Sequence, residues 1–312
     1  MIDLHIHTTA SDGALSPREV VRLAVEQGLG AIAITDHDTV AGIPEALEEA
    51  QSCGLEVIPG VELSAICTSG ILHILGYYVR FENPYVRRCL DDLRHDRQHF
   101  VTERLARLRE QGLKEFPGTV SDTREWSMLD PGLFGNPGKF SAERKNMRHD
   151  GFSCSRSVPA AYGPRANLLP EDAVRLIVAA SGIPVVAHPY SIIKHSSLNW
   201  DSVLEKLLSA GIQGLEAYHP THTVAQTLLF LESAQRHGLL VTGGSDFHAA
   251  AVPETQIGAI PRCSPLSYEM VENLKARLRG KRNGLKIGRR RNAAGNISPR
   301  STRRPYFRAP SS

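Results

Sequence analysis

Short apolar runs alternate with amphipathic helical segments along most of this chain, and nothing else in it limits the fold as strongly. "AIAI" at 31–34 and the apolar start of "IPVVAHP" at 183–189 are patterned as strands buried on both faces, which occur in parallel sheets covered by helices. The helical segments have legible ends. Ser16-Pro17-Arg18-Glu19 supplies an N-cap, a proline at the first helical position and a capping-box glutamate. Val20, Val21, Leu23 and Ala24 then form the apolar stripe, and Gly28 stops it. A second helix over about 43–52 ends at Gly54, and the strands "LEVIPGVELS" and "LHILGYYV" follow. The same grammar returns after residue 168 with "LPEDAVRLIVAASG", "WDSVLEKLLSAG", "GLEAYHP", a helix over about 223–237 and "LLVTGG". Alternating β and α elements predict parallel strands wrapped by helices, in an α/β barrel or a doubly wound sheet.

An insert divides the two halves. Residues 86–111 carry Val86, Leu90, Leu93, Phe100, Val101, Leu105 and Leu108 near helical spacing and predict one long charged helix. Residues 114–160 lose all periodicity and are rich in Gly, Pro, Ser and charge, which predicts a loop. At the C-terminal end, residues 281–312 hold ten Lys and Arg and no Asp or Glu. Without them the formal charge falls from +3 to −7, so a mildly acidic body carries a basic tail expected to be disordered and able to make weak phosphate contacts. No apolar run reaches the length of a membrane span, and the polar, acidic start of the chain is unlike a signal peptide. Five cysteines without a CxxC pair fit a reducing compartment, so the expected location is cytoplasmic, with no obligate protein partner evident.

The chemistry lies at the ends of the strands. In "MIDLHIHTTASDG", Ile2, Leu4 and Ile6 point to one side and Asp3, His5 and His7 to the other, with Asp12 in the following loop. Later runs end in Asp36 and His37, in Glu62, in His188, and in Asp246 and His248, while "LHILGY" carries His73. Each fragment has a plainer reading: the "AHP" histidine as a structural hydrogen-bonding residue, "TDH" as a helix cap, "GVE" as a surface strand end. Together, His5, His7, Asp12, His37, Glu62, His73, His188, Asp246 and His248 recur where an α/β barrel gathers its active site, at the C-terminal mouth. They predict a polynuclear metal centre, and mixed imidazole and carboxylate donors suit Mn, Fe or Zn better than Mg or Ca.

"HIHTTASDG", "ITDHD", "GVELS", "HILGY", "AHP" and "GSDFH" resemble the signature motifs of the PHP (polymerase and histidinol phosphatase) superfamily. "LEAYHPTHT" resembles its stand-alone phosphoesterase branch, which includes nucleoside 3′,5′-bisphosphate phosphatases and 5′-to-3′ exoribonucleases. The resemblance covers about 1–112 and 160–280. It implies a distorted (β/α)7 barrel made of residues 1–85 and 160–280, an insert at 86–159 and a tail at 281–312. It further implies three divalent ions, most often manganese. His5, His7, Glu62 and Asp246 would surround one, Glu62, His73 and His188 a second, and Asp12, His37 and His248 the third.

Closely spaced divalent ions lower the pKa of a shared water and neutralise phosphoryl oxygens, so no serine or cysteine nucleophile is required. The reading is hydrolysis of phosphate esters by a hydroxide held through Glu62, Asp246 and His188. The substrate is a 3′,5′-bisphosphonucleotide or short 5′-phosphorylated RNA. Histidinol phosphate or a nucleoside monophosphate is the alternative. A barrel that binds metal without turnover is the alternative of another class, because the family's Gly-Arg-Pro-His-like stretch is missing between 113 and 159. Asp36 is expected either to orient a ligand imidazole or to cap a helix. His219 and Tyr77, which follow strands, are expected to contact substrate.

Overall fold

In the computed structural model, the described residues (1–67, 70–95, 168–194, 200–249 and 255–292) contain seven strands in one sheet. Their order in the sheet is their order in the chain: β1 (Ile2–Ile6), β2 (Ala31–Ile34), β3 (Glu56–Cys67), β4 (Gly70–Tyr77), β5 (Ile183–Val186), β6 (Gly214–Tyr218) and β7 (Leu240–Gly243). β1, β2 and β3 run parallel, as do β5, β6 and β7. Just past β7, the Phe247 carbonyl accepts from the His7 N–H at 2.9 Å, and the Phe247 N–H donates to the His5 carbonyl at 3.3 Å. The sheet thus curls back onto its first strand as an α/β barrel.

β4 corrects the expectation of parallel strands throughout. It lies antiparallel to both β3 and β5, with Glu62 opposite Leu75 and Ser64 opposite His73. Only two residues separate Cys67 from Gly70, and a parallel crossover needs a dozen or more, so this pair can only be a hairpin. The reversed strand is the distortion in the barrel.

Helices cover the outside: α1 (Pro17–Glu26), α2 (Ile43–Cys53), α3 (residues 84–95), α4 (Pro170–Ala179), α5 (Tyr190–Lys194), α6 (Trp200–Ala210) and α7 (Val224–His237); a further helix, α8 (Glu269–Asn292), begins in the last residues of the unit Met1–Leu274. The capping box of Ser16 and Glu19 is formed, and Thr223 with Gln226 makes a second one at α7. Val20, Val21 and Ala24 of α1 and Ile43 and Ala46 of α2 join one core with Ile32, Ile34 and Leu63. On the other half, Val174 and Ile177 of α4, Leu204 of α6 and Phe230 of α7 join it with Val186 and Leu215. Each such large side chain withdrawn from water contributes about 1.5–3 kcal/mol.

The chain divides into two units, Met1–Leu274 and Lys275–Ser312. The barrel belongs to the first, and the described part of the second, residues 275–292, is helical. The predicted helix over 86–111 is helical as far as described, to residue 95. The rest of the insert and the last residues of the tail lie outside the described residues. No described helix is long and apolar enough to cross a membrane.

Candidate metal centre

The inner face of β1 is where apolar packing gives way to polar pairing. Asp3, His5 and His7 share that face and are buried. Asp3 accepts from the backbone N–H groups of Ser245 at 2.9 Å, Gly258 at 2.7 Å and His5 at 3.2 Å, and also from the Ser245 hydroxyl. It thereby fastens β1 to the loop after β7 that carries Asp246 and His248. On the other side, the Asp36 carboxylate accepts from the Thr8 N–H at 2.7 Å, the Ser11 hydroxyl at 2.7 Å and the Thr8 hydroxyl. Neither an imidazole nor a helix end is its partner in these bonds. Asp36 instead holds the loop that presents Asp12, because Thr8 and Ser11 lie just ahead of it in the chain and meet the end of β2 in space. Space is tight here: a Cβ at Gly42 would meet Asp36 Oδ2 at 2.6 Å, and one at Gly13 would meet the His7 carbonyl oxygen at 2.4 Å.

The structure gathers all nine strand-end residues singled out above. Glu62 of β3 is fully buried at their centre. Its Oε2 lies 3.2 Å from His5 Nε2, 3.2 Å from His7 Nε2 and 3.1 Å from His37 Nδ1. Its Oε1 lies 2.9 Å from His73 Nδ1 and 3.0 Å from His188 Nε2. Asp246 Oδ1 stands 3.3 Å from His5 Nε2 and 3.1 Å from His7 Nε2. Asp12 Oδ2 is 3.3 Å from His248 Nε2 and 3.8 Å from His37 Nε2, and Asp12 Oδ1 is 3.5 Å from His7 Nδ1. Three residues of the mouth hold left-handed backbone without being glycine: Asp38 (φ 51°), His188 (φ 24°) and Asp246 (φ 52°). Such conformations cost of order 1–3 kcal/mol each and concentrate at functional sites.

Burial alone would raise the Glu62 carboxyl, but His73, His37 and His5 around it hold it well below the usual carboxylate range. Asp246 is held well below in the same way, against burial, by His5 and His248. Burial pushes His37 down to about 3, so it is neutral. Burial would also depress His7, yet the carboxylates of Asp246, Glu62 and Asp12 beside it carry it up to about 10. The site therefore combines ionised carboxylates with imidazole nitrogens, the donor set of Mn, Fe and Zn sites.

The residues present fit such ions. His5 Nε2, His7 Nε2, His37 Nδ1 and Glu62 Oε2 are buried and make no hydrogen bond, although neighbouring donors stand 3.1–3.3 Å away. Lone pairs facing one another at that distance repel unless a proton or a metal ion lies between them, and a metal ion takes the place of the proton when it binds. Donors about 2.1 Å from one ion lie about 3.0 Å apart at right angles and about 3.4 Å apart at tetrahedral angles, which brackets the observed spacing. Two groupings of this kind are His5, His7, Glu62 and Asp246, and His7, Asp12, His37 and His248.

Of the two expected substrate contacts, His219 reaches the site. Its Nε2 is 3.4 Å from Asp246 Oδ2, and its ring lies 5.1 Å from that of His188. Tyr77 does not reach it, and its reading as a substrate contact is corrected here. The antiparallel course of β4 puts His73 at the mouth and Tyr77 opposite Ile183, at the far end of β5. There Tyr77 is fully buried and donates its hydroxyl to the Leu4 carbonyl at 3.0 Å. One inner residue escaped the sequence reading. Glu216 of β6 is fully buried against His5 and His188, and its only signal was a lone carboxylate in the otherwise apolar "GLEAY".

Residues 3–134 match the PHP domain family. The chain is similar to a 3′,5′-nucleoside bisphosphate phosphatase of Chromobacterium violaceum, 30% identical over 278 residues that cover 89% of this chain and 97% of the relative. It is 31% identical over 257 residues to a phosphoribosyl 1,2-cyclic phosphate 1,2-diphosphodiesterase of Eggerthella lenta, covering 79% and 93% of the two chains. It is 30% identical over 261 residues to a 5′-3′ exoribonuclease of Escherichia coli, covering 79% and 84%. Among solved structures, a candidate metal-dependent phosphoesterase of Bifidobacterium adolescentis matches with a TM-score of 0.70 at 26% identity, over 88% of this chain and 96% of the other.

Proposed function

The chain belongs to the PHP family of metal-dependent phosphoesterases, and on that premise we propose that it releases a terminal phosphate from a nucleoside 3′,5′-bisphosphate. One observation carries the reading. His5 and His7 stand against one oxygen of Glu62 and His73 and His188 against the other, as donors around a carboxylate shared by two ions would. In this reading His5, His7, Glu62 and Asp246 hold one divalent ion and Glu62, His73 and His188 a second. Asp12, His37 and His248 hold a third. Manganese is the first assignment, with iron or zinc as alternatives. Such ions, when bound, make water acidic enough to supply hydroxide near neutral pH and set positive charge against the phosphoryl oxygens.

The chain's own residues then position the substrate. His219 Nδ1 is held by Thr221, whose N–H donates to it at 3.3 Å and whose hydroxyl lies 2.8 Å away, and this turns Nε2 to the mouth beside Asp246. His219 is thus placed to hydrogen-bond an oxygen of the bound ester through Nε2. Buried carboxylates and a rigid β framework keep the donors fixed, so little reorganisation accompanies the reaction.

Short 5′-phosphorylated RNA is the second substrate, and the ten cations of residues 281–312 favour it, since such segments bind nucleic acid through phosphates. The compartment we assign is the cytoplasm. Phosphate release by the manganese-loaded chain from 3′-phosphoadenosine 5′-phosphate, a 5′-phosphorylated trinucleotide and histidinol phosphate tests the assignment. The highest kcat/KM on the bisphosphate supports it. A preference for the trinucleotide or histidinol phosphate reassigns the substrate, and release from none of the three contradicts it.

A further inference from the structure

Glu216 is a buried carboxylate among imidazoles whose two oxygens point to two different strands. Its Oε1 accepts from His5 Nδ1 at 2.9 Å, and its Oε2 accepts from the backbone N–H of His188 at 2.7 Å. Glu216 and His5 are both fully buried, and a carboxylate in such a place is tolerated only when its oxygens are satisfied. Both bonds bear on candidate metal donors. The first fixes the tautomer of His5: with the proton on Nδ1, the bare Nε2 is left facing Glu62 Oε2 at 3.2 Å and Asp246 Oδ1 at 3.3 Å. The second anchors His188, which sits at φ 24°, a conformation that costs free energy and needs a fixed partner to persist. Ser191 takes up the His188 carbonyl from the other side, through its N–H at 3.0 Å and its hydroxyl at 2.9 Å.

We propose that Glu216 is a positioning residue that sets the direction of two candidate metal donors at once, His5 of β1 and His188 after β5. This rests on the metal-centre reading above. Glu216 and His219 also lie close enough to His5 to form a donor group of their own. Direct ligation is disfavoured because both oxygens of Glu216 already accept hydrogen bonds, and because His5 turns its other nitrogen toward Glu62. An imidazole's two nitrogens point apart, so His5 serves Glu216 with one and the mouth with the other. Groups that orient a metal-bound histidine in this way typically alter metal affinity 10–100-fold, about 1.4–2.7 kcal/mol.

The test uses the full chain and the variants Glu216→Gln and Glu216→Asp. Gln keeps the size but presents an amide to two donors, and Asp keeps the charge but is one methylene too short to span both. Cobalt titration followed by its visible spectrum, together with the thermal midpoint of the metal-free chain, is the readout. The expected result is a 10–100-fold weaker affinity and an altered spectrum in Glu216→Gln, with the metal-free midpoint near that of the parent. Affinity within twofold of the parent, or weakening that merely follows an equal loss of the metal-free fold, overturns the proposal. If the variants fail to fold, histidine 15N spectra of the zinc-loaded parent decide: His5 protonated at Nδ1 supports it, and His5 protonated at Nε2 overturns it. A parent chain that binds no divalent ion contradicts the metal-centre reading itself, and the proposal with it.

Discussion

Glu62 and Tyr77 sit on neighbouring strands, are both fully buried, and play opposite parts. Glu62 stands within 3.2 Å of five imidazole nitrogens, so Glu62→Gln should lower metal affinity by more than the roughly 10–100-fold that outer partners cost, measured by metal content after dialysis. Tyr77→Phe removes one hydrogen bond to the Leu4 carbonyl. It should cost about 0.5–1.5 kcal/mol in urea unfolding and leave kcat/KM unchanged, whereas a substrate contact would raise KM without touching stability. His7 makes a prediction about protons. The carboxylates of Asp246, Glu62 and Asp12 beside it carry it up to about 10, so in the metal-free chain it is protonated at pH 8 and must lose that proton to ligate. Calorimetric titration with zinc at pH 8 in two buffers of different ionisation enthalpy should show proton release, and equal apparent enthalpies would contradict it. The same shift stabilises the metal-free fold fully below about pH 6.5, and the contribution is lost as pH rises through about 10. The nine strand-end residues were legible because residue type and strand-end position are both written locally. Glu216 was not, because what defines it is a hydrogen bond across 211 residues of chain, and Asp3 was legible as part of the polar face of β1 but not in its partner 242 residues away.

At the level of elements, α1, α2, α4, α6 and α7 announced themselves, while α5, α8 and the direction of β4 did not. Ser16 with Glu19, and the glycines after α2 and α7, are short-range signals that operate before any tertiary contact forms. The direction of β4 depends instead on how few residues separate it from β3, and an apolar run reads the same in either direction. Its reversal explains why Tyr77 follows His73 by four residues yet ends far from the mouth. Barrel closure has its own weak point. A Cβ added at Gly244 would meet His5 Cβ at 2.3 Å and His5 N at 2.4 Å, so the chain past β7 approaches β1 as closely as only glycine permits. Gly244→Ala should destabilise by the upper end of the about 1–3 kcal/mol expected of overpacking, read as a lowered urea midpoint. Gly280→Ala is the control: nothing lies within 4 Å of its added Cβ, and it sits within α8, so it should be neutral or stabilise by about 0.5–1 kcal/mol.

For the molecule as a whole, the charge is divided between an acidic body and a cationic end, and the metal chemistry is concentrated where the strands of the body converge. The fold class was legible because alternating strands and helices admit few architectures, while closure of the barrel depends on Asp3 and Phe247 meeting partners from the opposite end of the chain. The account stands on one dependence, that hydrolysis requires ions held by the strand-end donors. The most direct measurement is phosphate release from 3′-phosphoadenosine 5′-phosphate by the full chain before chelation, after chelation and after restoring manganese, alongside a His5→Ala/His7→Ala variant. Turnover that chelation abolishes, manganese restores and the variant lacks at every stage is the predicted result. Turnover that survives chelation or persists in the variant would contradict it.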